Sequence, residues 1–321
     1  MIIVTGAAGF IGSCMISKLN SENFNRIIAV DHFHDQEKNK NLLNKTIQER
    51  VDRGEFFPWL DRHFEDVEFI FHLGARTDTA EFDKNLLWEL NTDYTKTIWR
   101  KCCDYQIPLI YASSAATYGL GELGYEDSEV IVDDLKPLNP YGESKNAFDS
   151  WAIKESRKPF YWAGLKFFNV YGPNEYHKSR MASVVMHAFN QIKRSDSMKL
   201  FRSHNPKFKD GEQQRDFVYV KDVVNILYWL MHHRKDSGLY NLGSGTARTF
   251  LDLTRAVFAA LGQKEDISFV DTPEDIRDKY QYYTEANMKK LKSIGYPEDF
   301  TPLEEGVRDY VSNYLSSGKF Y

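Results

Sequence analysis

The sequence predicts an α/β fold in which a doubly wound parallel sheet is followed by a smaller C-terminal lobe. Three observations predict it. The chain opens on an apolar run, Ile2-Ile3-Val4, that leads through a glycine-punctuated turn into an amphipathic stretch ending near Leu19. Runs of strand length then recur at Arg26–Val30, Val67–Phe71 and Leu109–Ala112, with segments of helical character between them. Beyond residue 170 the alternation gives way to a longer segment rich in Lys, Arg, His and Asn. The reading is a first domain over 1–170, rejoined by segments near 215–245, and a second lobe made mainly of 171–321.

Each element has its own justification. In Thr5-Gly6-Ala7-Ala8-Gly9-Phe10-Ile11-Gly12 the first glycine allows a tight turn, the second a close backbone approach to a pyrophosphate, and the third close packing of helix on strand. Between a strand and a helix this loop predicts a Rossmann-type dinucleotide site, with free N–H groups at the helix N-terminus facing the phosphates. The second strand ends at Asp31, near the spacing where an acid meets an adenosine ribose 2′-OH. That favours NAD, whereas Lys38 and Arg53 downstream can meet a 2′-phosphate, so NAD and NADP both stay open on residues alone. Asn39 to Arg62 reads as polar and mostly helical, anchored by Phe56-Phe57-Pro58-Trp59. The strand ending in His72-Leu73-Gly74-Ala75 should pass the cofactor, and a helix from Leu86 to Cys103 carries Asn91, able to brace a neighbouring loop. Asn205 to Gln214 reads as a loop or hairpin tip. Strands at Asp216–Val220 and Gly238–Leu242 flank a helix over Lys221–His233; a helix over Phe250–Leu261, a strand over Ile267–Val270 and a helix over Leu303–Leu315 follow.

Composition bounds the partners. With 321 residues, 42% hydrophobic and 27% charged, the chain suits one large or two smaller globular domains. A net charge of -5 disfavours a general nucleic-acid or anionic-membrane surface. Cys14, Cys102 and Cys103 lack metal-ligand spacing and form no disulfide framework, so no metal is expected. Lacking a basic leader or an apolar run of membrane length, the chain reads as cytoplasmic.

The chemistry centres on Tyr141-Gly142-Glu143-Ser144-Lys145. Four residues apart on one helix face, the phenol and the ammonium can act together in proton transfer. A neighbouring cation is expected to lower the tyrosine pKa by roughly 1–3 units, toward a useful general base. The hydroxyls of Ser113-Ser114 at a strand's carboxyl end can hold a substrate oxygen beside that pair.

Taken together, the Thr5–Gly12 loop, Asp31, His72–Ala75, Ser113-Ser114, Tyr141/Lys145 and Asn169-Val170-Tyr171-Gly172-Pro173 resemble the extended short-chain dehydrogenase/reductase family. Within it, Tyr111–Gly119, His177-Lys178, Met181–Val184, Lys199–Phe201 and Arg215–Val220 are similar to the ADP-heptose 6-epimerase branch. The resemblance implies Tyr141 as proton-transfer residue, Lys145 as its partner and ribose anchor, Ser114 as holder of the reacting oxygen, and Lys178 as a second base for the other substrate orientation. It implies cofactor contacts from Gly9, Phe10, Ile11, Asp31, His32, Lys38 and Arg53, from Leu73, Gly74, Ala75, Arg76 and Thr77, and from Asn91, Lys145, Val170 and Lys178. Substrate contacts are implied for Asn169, Arg180, His187, Phe201, Arg202, Ser203, His204, Arg215 and Tyr280. It also implies NADP, an ADP-heptose substrate for lipopolysaccharide inner core, and a homopentamer. Asn174 stands where the resemblance calls for arginine, and Ser179-Arg180 replaces a smaller pair. Ala115-Ala116-Thr117 lacks the acidic pair a dehydratase needs; a 4-epimerase or reductase is the nearest rival, and a non-catalytic cofactor-sensing module the rival from another class.

Overall fold

The computed structural model describes residues 1–277 and 280–321, with backbone alone at 275 and 276. The elements run β1 (Ile2–Thr5), α1 (Phe10–Ser21), β2 (Ile27–Asp31), α2 (Gln36–Asn39), β3 (Glu49–Asp52), α3 (Phe56–His63), β4 (Phe69–His72), α4 (Lys84–Leu87), α5 (Tyr94–Tyr105), β5 (Leu109–Ser114) and α6 (Pro140–Lys154). There follow β6 (Trp162–Phe167), β7 (Asn169–Tyr171), α7 (Val184–Ser195), β8 (Met198–Phe201), β9 (Gln214–Tyr219), α8 (Val220–His232) and β10 (Gly238–Leu242). The chain closes with β11 (Ala247–Thr249), α9 (Phe250–Leu261), β12 (Ile267–Val270), α10 (Glu274–Arg277), α11 (Lys289–Ser293) and α12 (Leu303–Asp309).

A seven-stranded parallel sheet in the order β10-β6-β5-β4-β1-β2-β3 forms the centre. All its strands but the edge strand β3 are buried on both faces, which explains their unbroken apolar runs. Alternate residues serve opposite layers. Ile2, Val4, Ile27 and Ala29 join Cys14, Met15 and Val223 on one side, where α1 packs on α8. Ile3, Ile28 and Val30 join Phe56, Trp59, Trp99 and Phe148 on the other. The strand order reverses between β1 and β4, so the crevice at their carboxyl ends is where a ligand belongs in such a sheet.

Smaller sheets build the remaining lobe. Antiparallel β11 and parallel β7 flank β9, and β12 pairs with β8. The returning segment divides accordingly: β10 joins the central sheet beside β6, while β9 stays in its own three-stranded sheet. Asp216 on β9 binds the two parts together, accepting from Ser244 N at 2.6 Å, Gly245 N at 2.9 Å and Ala286 N at 3.0 Å.

Two expectations are corrected. Asn39–Arg62 is not mostly helical: beyond short turns it contains β3, an edge strand, before α3 begins at Phe56. Of Glu49-Arg50-Val51-Asp52 only Val51 is buried, and one inward residue gives no alternating signal. The helix expected over Leu86–Cys103 is interrupted by a π-helical stretch at Trp88–Asp93 that buries Asn91. Such one-turn widenings are common at functional sites. The loop expected over Asn205–Gln214 ends one residue sooner, where β9 begins; the aromatic anchor and the helix through Leu315 stand as expected, the last ending in π-helical form. Among the described residues no helix is long and apolar enough to cross a membrane.

Candidate active site

The glycine loop makes a cradle that side chains would fill. Gly6 has φ +66°, and a Cβ there would lie 2.6 Å from Gly74 Cα. A Cβ at Gly12 would meet Gly6 O at 2.1 Å. Gly9 caps α1 with extended backbone, leaving the N-terminal amides of a 12-residue helix facing the crevice, with Phe10 buried and Ile11 half-buried behind it. A dinucleotide pyrophosphate fits this chemistry: free N–H donors, a positive dipole end and no side chain in the way.

At the ribose end Asp31 is buried and already engaged. Its Oδ2 accepts from Ala8 N at 2.9 Å and its Oδ1 from Lys38 Nζ at 2.6 Å. Lys38 therefore neutralises the acid that by itself would favour a free 2′-OH. Arg53 is exposed alongside, its N–H donating to Asp31 O at 3.0 Å and its carbonyl accepting from the Tyr94 hydroxyl at 3.1 Å. His32 lies on the open rim, with Nδ1 3.5 Å from Asp52 and its ring 4.3 Å from that of His34.

The loop after β4 is pinned from two sides. Leu73 N donates to Thr5 O and Gly74 N to Thr5 Oγ1, both at 3.2 Å. Asn91 accepts from Arg76 N at 2.8 Å and donates to Arg76 O at 3.0 Å and Ser144 Oγ at 3.0 Å. The brace expected of Asn91 is thus a clamp between loop 73–77 and α6, while Thr77 stays exposed. Beneath it His72 bridges Thr5 at 2.7 Å and Thr95 at 2.9 Å, and burial pushes its imidazole down to about 3.

Helix α6 starts where the proton-transfer pair needs it. Asn139 Oδ1 accepts from Gly142 N at 2.8 Å and Pro140 occupies the first turn, so Tyr141 and Lys145 lie on successive turns of one face. Both are buried, and half-buried Ser114 at the end of β5 lies near enough to Tyr141 to favour its ionised form. The expected lowering of the phenol is corrected: its pKa is raised, chiefly by burial, with Ser114 opposing and Asp149 adding to the rise. Lys145 is itself buried and falls to about 8, so loss of water governs both groups more than their mutual attraction.

The second candidate base lies opposite the loop. Lys178 belongs to the 3₁₀ stretch Tyr176–Met181, its Nζ 5.2 Å from the Phe10 ring, and burial lowers its pKa against the pull of Glu175. Arg180 turns outward to pair with Asp78 at 2.8 Å, and exposed His187 sets Nε2 3.3 Å from Arg180 O. Asn174 is fully buried at φ 75°, donating to Ser13 Oγ at 2.9 Å and accepting from Tyr321 N at 2.8 Å; it clasps the fold where an arginine would reach outward. Asn169 is exposed and Val170 half-buried on β7, which places them at the mouth between sheet and lobe.

The other lobe gathers most of the expected substrate residues around a buried arginine. Arg215 is buried on β9 with its guanidinium 5.5 Å from the Tyr280 ring and 5.6 Å from Phe250. It has no carboxylate partner among the described residues, and burial lowers its pKa. Phe201 sets its ring 6.4 Å from Tyr280. Ser203 and His204 start the loop, their amides bonded to Asp210 and to the Tyr282 hydroxyl, and Arg202 points to Asp210 and Asp271 at 3.8 and 3.7 Å. Gln281 donates to Gly119 O and Tyr125 to Tyr283 O, so this lobe abuts the turn following Ser114.

An ADP-L-glycero-D-manno-heptose-6-epimerase of Fusobacterium nucleatum is 47% identical to the chain over 331 aligned residues, covering 100% of both. The chain belongs to that epimerase family. A relative from Brachyspira hyodysenteriae with the same name is 38% identical over 100% of the chain and 99% of its own length. The broader NAD dependent epimerase/dehydratase family model matches residues 2–243. The crystal structure of the Helicobacter pylori ADP-L-glycero-D-manno-heptose-6-epimerase superposes with TM-score 0.79 at 26% identity, covering 97% of this chain and 95% of that one. A UDP-N-acetylglucosamine 4-epimerase from Methanobrevibacter ruminantium shares the fold, with TM-score 0.82, 23% identity and 98% of each chain covered. Family membership makes the chain an epimerase-type enzyme with a nicotinamide cofactor.

Three buried residues of this epimerase site went unread in the sequence: Asp149, Lys166 and Thr117. A signal existed for the first, since Asp149 continues the Tyr141/Lys145 spacing by another four residues. None existed for the others, which meet it only through the packing of β6 and the 115–118 turn.

Proposed function

We propose that the chain is an NADP-dependent isomerase converting ADP-D-glycero-D-manno-heptose to ADP-L-glycero-D-manno-heptose by inversion at C6. The observation that carries this reading is the burial of Tyr141 and Lys145 on one face of α6 with half-buried Ser114 beside them, in a chain with full-length relatives of that name. NADP is favoured over NAD because Lys38 neutralises Asp31 and exposed Arg53 beside it has no carboxylate partner among the described residues. On this reading residues 1–170 with the returning 215–245 segment hold the cofactor, and most of 171–321 holds the sugar. Arg215 takes the diphosphate by charge-assisted hydrogen bonds, with Tyr280 and Phe201 as apolar walls and Ser203, His204, Asn169, His187, Arg180 and Arg202 around them. The enzyme works in the cytoplasm as a homopentamer and supplies heptose for lipopolysaccharide inner core.

When bound, the nicotinamide supplies reversible hydride acceptance, so C6 passes through a 6-keto sugar and regains hydrogen on its other face. The chain's own groups move the protons. Lys178, held toward neutrality by burial, accepts the C6 hydroxyl proton during oxidation. Tyr141, whose raised pKa keeps it protonated, returns a proton to the ketone oxygen after the exocyclic group rotates. Ser114 holds that oxygen, and Lys145 anchors the ribose. Incubation with ADP-D-glycero-D-manno-heptose and NADP, followed by NMR of the product, should show inversion at C6 alone. Inversion at C4, or no change with the cofactor bound, would reject the assignment.

A further inference from the structure

Under the proton-transfer pair lies an ion pair with no route to solvent. Asp149 and Lys166 are 0% and 1% exposed, with Nζ 2.7 Å from Oδ2. The carboxylate also accepts from Ser113 Oγ at 2.6 Å and Tyr111 OH at 3.0 Å. The ammonium donates to Thr117 Oγ1 at 2.8 Å and lies 5.1 Å from the Tyr118 ring, while Thr117 donates to Ser114 O at 2.8 Å. Through these bonds one pair ties α6, the end of β5, β6 and the 115–118 turn together.

A buried ion pair is a poor way to gain stability, since loss of hydration cancels most of the attraction and an apolar pair often does as well. What this one does supply is position and charge. Asp149 follows Lys145 by one helical turn and Tyr141 by two, on the same stripe of α6. Its partners Ser113 and, through Lys166, Thr117 flank Ser114 on both sides. We propose that Asp149, balanced by Lys166, is a positioning residue of the epimerase: it fixes Ser114 against Tyr141 and keeps the proton on Lys145. This rests on the assignment of those three residues to proton transfer.

The groups facing Lys145 are few. Asp149, one turn along the same helix, and His72 on β4 act on Lys145 directly; Tyr111 and Ser113 on β5 and Lys166 on β6 reach it through Asp149, and Asn91 and Thr92 hold the helix at Ser144. Burial draws Lys145 down and Asp149 draws it up, whereas neutral His72 adds no charge.

The test reads Lys145 directly. Lysine labelled with ¹³C at Cε is followed by NMR across pH in the full chain, the Lys145 signal being assigned by its loss in Lys145→Met. In Asp149→Asn the Lys145 midpoint should fall by about one unit, and in Lys166→Met it should rise, by the sign of the charge removed. The basic limb of the kcat profile should move with it in each variant. Unmoved Lys145 midpoints in both folded variants would overturn the proposal. Should the single variants not fold, Asp149→Leu with Lys166→Met removes both charges and is expected to fold. It should lose at least about tenfold in kcat with KM changed less than about twofold, because Ser114 is released while the sugar-binding lobe is untouched; wild-type kcat there would equally overturn it. The NMR arm needs no substrate, so a wild-type chain inactive on the heptose counts against the function and leaves this readout standing.

Discussion

At the scale of single residues, water loss sets the chemistry. Tyr141 rises and Lys178 falls for the same reason, since each charged form is costly where water is excluded. On the proposed mechanism, these opposite shifts suit Tyr141 to act as the acid and Lys178 as the base. Tyr141→Phe and Lys178→Met should each cut epimerisation by about 10²–10⁴-fold, read as initial rates of product formation by NMR. Near-normal turnover by Lys178→Met would leave that lysine as a cofactor anchor. The adenosine end can be tested separately. Lys38→Ala with Arg53→Ala removes up to two charge-assisted hydrogen bonds, each worth roughly 1.5–3 kcal/mol. Titrations should show NADP binding weakened well beyond any loss for NAD. Because Lys38 also neutralises Asp31, NAD binding should fall little; equal losses would remove the case for NADP.

At the scale of elements, close backbone approaches leave little latitude. The third loop glycine is the tightest of the cradle: in Gly12→Ala the new methyl would stand 2.1 Å from Gly6 O, against backbone that cannot swing away. Either α1 or the loop must shift, so dinucleotide affinity should drop at least about tenfold by calorimetry, with a lower melting temperature. A variant binding like the wild type would mean that α1 moves freely on β1. The π-helical stretch at Trp88–Asp93 illustrates the converse, an irregularity that gains contacts. By widening the turn it brings Asn91 inward to three partners on two other elements. Nothing in the Leu86–Cys103 spacing marked that widening, because its stabilising contacts come from loop 73–77 and α6.

At the scale of the whole molecule, one buried and one half-buried histidine make the fold sensitive to acid. His72 sits at about 3 and His177 at about 4 in the folded chain, each below its ordinary 6.5 and each chiefly through burial. Below pH 6.5 the unfolded chain takes up protons that the folded chain refuses, so their support is complete above that value and is lost as pH falls toward 3 to 4. Scanning fluorimetry from pH 7.5 to 5 should show a falling melting temperature. His72→Gln should start lower, through its lost bonds to Thr5 and Thr95, and fall less steeply. An unchanged slope would assign the acid sensitivity to other groups.

The sequence by itself determined the doubly wound sheet, the glycine cradle, Asp31 at the end of β2, and Tyr141 and Lys145 on one helix face. These are local matters: strands buried on both faces must be apolar throughout, and residues four apart on a helix are neighbours whatever surrounds them. Family resemblance, rather than spacing, singled out Lys178 and Arg215. The tertiary structure alone decided what is non-local. It made β3 a strand by pairing it with β2, since Val51 supplies too little apolar pattern to do so. It reversed the expected shift of Tyr141, because burial depends on what packs over a side chain and not on its neighbour in sequence. It also joined Asp149 to Lys166 across 17 residues of chain and sealed both from water. A carboxylate and an amine on separate elements become one buried pair only when the sheet brings β6 beneath α6.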